Sequence, residues 1–156
     1  MTPHVYEREQ RLPGRPADVF AFFADARNLE AITPPLLQFR MLTPDPIVMT
    51  RGTLLRYRLR VHGVPVSWLT EITAWDPPQR FVDEQREGPY ALWQHTHSFE
   101  DDGAGGTLMR DVVRYELPLG VLGALAHGLV RRDIEQIFDY RAARVPALLS
   151  ERGRRR

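Results

Sequence analysis

Between Thr53 and Leu117 the chain alternates apolar and polar side chains with a period of two, and it reverses four times on short turns. In the first of these runs Thr53, Leu55, Tyr57, Leu59 and Val61 share one face, and Leu54, Arg56, Arg58 and Arg60 the other. His62-Gly63 turns the chain into Val64 to Trp75, where Val66, Trp68, Thr70 and Ile72 share a face. Asp76-Pro77-Pro78, Gly88-Pro89 and Asp101 to Gly106 then separate Arg80 to Arg86, Tyr90 to Glu100 and Thr107 to Leu117. Turns this short leave no room for crossover helices. Five such strands therefore form an antiparallel meander.

The flanking segments complete the design. His4 to Leu12 reads as a strand closed by Pro13-Gly14, and Pro16 suits the first turn of a helix reaching about Ala24. Asp25 can cap a second short helix through Ile32, which Pro34 and Pro35 stop, and Leu36 to Leu42 reads as a further strand. After the meander, Gly120 to Leu149 is a long helical run with Leu122, Leu125, Leu129, Ile134, Ile137, Phe138, Val145 and Leu148 as its apolar face. At 1.5 Å per residue it reaches about 40 Å, enough to cross a small domain. Pro146 predicts a kink or an early end. Small residues in its first half (Gly123, Ala124, Ala126, Gly128) let it either cover a sheet closely or leave space beside itself.

An antiparallel sheet with one polar face and a helix over the other is an α+β architecture. The expected fold is a curved seven-stranded sheet wrapped around the long C-terminal helix, with two short helices between the first two strands. Residues 1–150 are expected to form a single ligand-binding domain with one core, and 151–156 a basic disordered tail.

Composition removes several kinds of chemistry. No Cys is present, so disulfides, thiolate catalysis and Cys-ligated metal are excluded, and with no Lys so is Schiff-base chemistry. The formal net charge of +1 argues against a nucleic-acid partner. No signal peptide and no membrane-spanning segment is found, which leads to the expectation of a cytoplasmic protein.

Phe81 to Gln85 (F-V-D-E-Q), Gly88 to Tyr90 (G-P-Y), Trp93 to Phe99 (W-Q-H-T-H-S-F) and Thr107 to Gly120 (T-L-M-R-D-V-V-R-Y-E-L-P-L-G), in this order of elements, resemble the START-like, polyketide cyclase and dehydrase superfamily, with the look of its bacterial SRPBCC branch. The resemblance spans about Tyr6 to Leu149. It implies a helix-grip fold around a largely apolar ligand cavity. It carries over no catalytic residues, because that superfamily shares no single set of them.

Alternation puts Trp93, His95, His97 and Phe99 on one face of their strand, Met109, Asp111, Val113 and Tyr115 on a face of the next, and Phe81, Asp83 and Gln85 on a face of the one before. If these faces point inward, an apolar pocket with a polar patch results. Its candidate lining is Tyr57, Trp68, Asp83, Gln85, Trp93, His95, His97, Phe99, Met109, Asp111, Tyr115 and Phe138. Three roles fit the patch: mutual hydrogen bonding of buried groups, acid–base catalysis by His95 or His97 oriented by Asp111, and a metal on His95 and His97 with Asp83 or Asp111. The H-x-H pattern is weak on its own and its aromatic flanks suit organic ligands, so no metal and no cofactor is expected. The expected partner is a small hydrophobic or aromatic molecule, bound for transport or sequestration. A cyclase, dehydratase or hydrolase-like enzyme, and an adaptor that binds protein, are the alternatives.

Overall fold

The computed structural model describes residues 3–118 and 123–155. Seven strands form one antiparallel sheet in the order β1-β7-β6-β5-β4-β3-β2: β1 His4–Leu12, β2 Arg40–Met41, β3 Leu54–Val61, β4 Val64–Asp76, β5 Arg80–Glu87, β6 Leu92–Asp101 and β7 Thr107–Glu116. Strands β3 to β7 pair in sequence order, as their short turns require. The β3–β4 turn is made by His62 and Gly63, both with positive φ (50° and 78°), the twist a two-residue hairpin needs. Two register shifts between β4 and β5, at Leu69/Thr70 and Ile72/Ala74, bend the sheet.

Between β1 and β2 lie two short helices, α1 Pro16–Phe23 and α2 Asn28–Ala31. The expected strand from Leu36 to Leu42 is mostly something else. Pro35–Leu37 is one turn of 3-10 helix, Gln38 turns left-handed at φ 47°, and only Arg40–Met41 pairs. Pro34 and Pro35 set this path, because neither can donate to a ladder.

The long helix, α3, spans Ala124–Arg154. The sequence placed its start at Gly120, which lies outside the described residues together with Leu122. Pro146 neither ends the helix nor marks a boundary, and residues 151–154, expected in a disordered tail, form its last turns. The loss of the Pro146 amide frees the Ala142 carbonyl, and the Gln10 side chain on β1 donates to it at 2.6 Å. No helix among the described residues is long and apolar enough to cross a membrane.

The buried stripe of α3 differs from the expected one. Leu125 and Leu129 are 82% and 52% exposed. Leu129 to Ile134 is a step of five residues, about 140° beyond a full turn, so these leucines fall on the opposite face. The stripe that faces the sheet is His127, Val130, Ile134, Phe138, Arg141, Val145 and Leu148, spaced three or four apart throughout.

Three apolar clusters form the interior. Phe20, Phe81, Phe99, Met109 and Val145 pack at one end. Leu55, Tyr57, Leu59 and Trp68 line the β3–β4 side, and Tyr6, Val113, Tyr115, Ile134 and Phe138 join β1 and β7 to the helix. The outer face of the sheet is charged, with ion pairs Arg56–Glu87, Arg86–Glu71 and Arg110–Glu7. Helix α3 is fastened mainly to β1, through Arg8 to Asp139, Gln10 to Ala142 and Arg131 to the Val5 carbonyl. Across the sheet, His62 on the β3–β4 turn reaches Asp133 at 2.9 Å. This is the helix-grip arrangement, with the helix seated along one side of a curved sheet.

Candidate functional site

Strands β5, β6 and β7 bring four titratable side chains together on the concave face. Asp83 stands opposite His95 across β5–β6, and His97 opposite Asp111 across β6–β7. The close bonds run diagonally, from His95 Nε2 to Asp111 Oδ1 at 2.7 Å and from His97 Nε2 to Asp83 Oδ2 at 2.6 Å. Each second ring nitrogen sits further from the other carboxylate, at 3.6 Å for His95 and 3.5 Å for His97. The two imidazoles stack with centroids 3.6 Å apart, and Phe81 stacks on His97 at 3.9 Å.

Electrostatics fix the proton positions. Burial by itself would raise the carboxyl groups of Asp83 and Asp111, but the imidazoles beside them, with Arg141 behind, hold both below the usual carboxylate range. Ionised carboxylates only accept, so the Nε2 of each histidine carries the donated proton. Burial, and after it the charge of His95, pushes His97 down to about 4, so its ring is neutral near pH 7. Its Nδ1 is buried without a hydrogen-bond partner.

Above this cluster stands Arg141 of α3. Its guanidinium lies 5.4 Å over the Phe138 ring, it is subject to the charges of Asp111 and Asp83, and its Nε is buried without a partner. Polarity alone assigns an arginine to the solvated side of a helix, which hides this residue in the sequence. The signal that finds it is spacing: three residues after Phe138 and four before Val145, it falls on the buried stripe.

A cavity of about 1020 Å³ opens between the sheet and α3. Of the candidate residues, Tyr57, Trp68, Asp83, Trp93, His95, His97 and Phe138 line it. Gln85, Phe99, Met109, Asp111 and Tyr115 do not. Phe99 and Met109 are consumed by the cluster around Phe20, and Asp111 stands behind His95. Tyr115 is fully buried, with its hydroxyl against His127 at 3.1 Å. Gln85 serves the structure instead, since its amide donates to the Tyr90 carbonyl at 2.7 Å and accepts from the Tyr90 N–H at 3.1 Å. Gly88 permits this clamp, because a Cβ there would stand 2.5 Å from Gln85 Oε1.

The clamp sets Tyr90 on the cavity wall beside Trp68 and Trp93. Neither Tyr90 nor Thr70 was singled out from the sequence. Thr70 shares a face with Trp68 and meets the Tyr57 hydroxyl at 3.0 Å, and burial raises the phenol of Tyr57 well above its ordinary range. The exposed Leu36, His62 and Val64 line the cavity as well, so it reaches solvent beside the β3–β4 turn.

Asp83, His95 and His97 offer three ligand atoms within 4.8 Å of one another. Their geometry suits hydrogen bonding better than a metal. The Nε2 of His95 and that of His97 are turned to different carboxylates, Asp111 and Asp83, and the His97 nitrogen nearest Asp83 already carries a bonding proton.

Solved structures share this arrangement at low sequence identity. The Zhui aromatase/cyclase from Streptomyces sp. R1128 superposes with a TM-score of 0.78 at 16% identity, over 96% of this chain and 95% of that one. TTHA0849 from Thermus thermophilus gives 0.72 at 22%, over 93% and 99%, and a START superfamily protein from Mycobacterium smegmatis 0.69 at 15%, over 93% and 99%. These likenesses establish the fold. A comparison with curated protein sequences gives no match. The family model described as polyketide cyclase / dehydrase and lipid transport matches residues 12–139, most of the chain, and the chain belongs to that family.

Proposed function

We propose that this protein binds a small apolar or aromatic molecule in the cavity between the sheet and α3, for transport or sequestration. The observation that carries this reading is a space of about 1020 Å³ whose walls are mainly aromatic and aliphatic, with Asp83, His95, His97 and Arg141 among its polar groups. Sites for small organic ligands have this composition, an apolar lining with a few polar groups that fix orientation. The matched family covers such activities, and the outer face of the sheet carries the ion pairs Arg56–Glu87, Arg86–Glu71 and Arg110–Glu7.

A ligand that binds only the folded state stabilises it by RT ln(1 + [L]/Kd), about 2.7 kcal/mol at a hundredfold excess over Kd. In a chain of this size that moves Tm by roughly 5–10 °C. Thermal melts against a panel of naphthalene and steroid-like compounds, with native mass spectrometry to count bound molecules, are expected to show such a shift at one to one. A flat panel with no bound mass would refute the binding role.

One observation favours a second reading, an acid–base enzyme. His95 lines the cavity while its Nε2 is held by an ionised Asp111, the arrangement that orients an imidazole for proton transfer. Once a turnover is found, His95→Gln is expected to remove it; unchanged turnover would leave the carrier role alone.

A further inference from the structure

Two donors of residues that line the cavity have no hydrogen-bond partner among the described residues. The Trp68 indole N–H is buried without a hydrogen bond in a residue 8% exposed, and the buried Arg141 Nε is equally unmet. Among the described residues no hydrogen bond reaches any part of the Arg141 guanidinium, although it lines the cavity. Indole and guanidinium groups donate and never accept, so only acceptors can satisfy them. A buried donor left without a partner carries an uncompensated desolvation cost, which a ligand bearing oxygen at that place would relieve.

Charge decides what kind of oxygen it is. Asp83 and Asp111 already face the one guanidinium, and both are held ionised. A ligand carboxylate would be a third anion around a single fixed cation. A protonated ligand amine has no lone pair and would meet neither the indole nor the guanidinium; the unmet His97 Nδ1 is an acceptor and stands outside this pair of donors. An uncharged carbonyl oxygen satisfies either donor and adds no charge, so two such oxygens serve the two donors.

We propose that the ligand of this cavity is an uncharged aromatic or alicyclic compound with two carbonyl-type oxygens, one accepting from Arg141 at the His/Asp pole and one from Trp68 on the β4 wall. This rests on the ligand-binding role proposed above. Arg141 and Trp68 then set specificity, while the remaining wall supplies apolar contact that any compound of suitable shape can use.

Calorimetric titration with three molecules of one shape tests it: 2,6-diacetylnaphthalene, 2,6-diethylnaphthalene and naphthalene-2,6-dicarboxylate at pH 7.5. The diketone is expected to bind at least tenfold more tightly than the hydrocarbon, and the dicarboxylate more weakly than the diketone. Trp68→Phe keeps an aromatic six-membered ring and removes the N–H with the rest of the indole, and Arg141→Lys keeps the charge and removes the fork. Each is expected to weaken the diketone about five- to tenfold more than it weakens the hydrocarbon. If Arg141→Lys does not fold, Trp68→Phe carries the test alone. Equal affinity for diketone and hydrocarbon, or tighter binding of the dicarboxylate, overturns the proposal and leaves the binding role standing. Absence of binding by all three overturns both.

Discussion

At the residue scale the informative group is His97. Its neutral form is preferred in the folded protein, with a pKa of about 4 against 6.5 for a free imidazole. The unfolded chain therefore takes up a proton near pH 6.5 that the folded chain refuses until about pH 4. Stability is at its full value above pH 6.5 and is lost as the pH falls through that window, by up to roughly 3 kcal/mol at 1.4 kcal/mol per unit. Asp83 and Asp111 have lowered values, so their contribution persists above the ordinary carboxylate range and is lost only as the pH falls below it. The two losses are separable. Denaturant titrations at pH 7, 6, 5 and 4.5 are expected to show the decline in the wild type and a flatter profile in His97→Gln. A variant with the wild-type slope would assign the decline to another group.

At the element scale, what the sequence shows depends on whether an element's period meets a uniform environment. The strands of the meander meet one: a buried face and a charged one. Alternation therefore puts Trp93, His95, His97 and Phe99 on one face, and the structure turns that face inward, burying His95, His97 and Phe99. Helix α3 does not, because its buried stripe carries His127 and Arg141 among aliphatic residues and its opposite face carries Leu125 and Leu129. Reading polarity in place of spacing puts both leucines inside and leaves Arg141 out. Contacts between distant segments leave no local pattern at all. Nothing around Gln10 indicates that its side chain replaces the hydrogen bond lost at Pro146. That substitution is measurable. Gln10→Ala is expected to cost about 1–2 kcal/mol, since it strands the Ala142 carbonyl. In a Pro146→Ala background residue 146 regains its N–H and satisfies that carbonyl, so the same change should cost less by at least about 0.5 kcal/mol. A double-mutant cycle by chemical denaturation checks this, and strict additivity would contradict the exchange of partners.

At the scale of the whole molecule, the cavity separates a fold that binds from one that merely packs. The three apolar clusters surround the space without filling it, because Phe20, Phe81 and Phe99 are engaged at one end and Tyr115 against α3. Side chains that border such a space lack partner atoms on one side and forfeit dispersion energy that a tighter core would have. Val66 tests this directly, since it is partly buried, lines the cavity and lies on the Trp68 face of β4. In a close-packed interior, enlarging valine to phenylalanine costs about 1–3 kcal/mol through strain. Here the added ring enters open space, so Val66→Phe is expected to leave stability unchanged or raise it by up to about 1 kcal/mol, as apolar area is withdrawn from water. The same ring occupies volume that a ligand needs, so the affinity for naphthalene-sized compounds should fall at least tenfold. Denaturant unfolding and calorimetry on one preparation read both quantities. A stability loss above about 1 kcal/mol would mean that the space is closed to a side chain, and undiminished affinity would place the ligand elsewhere.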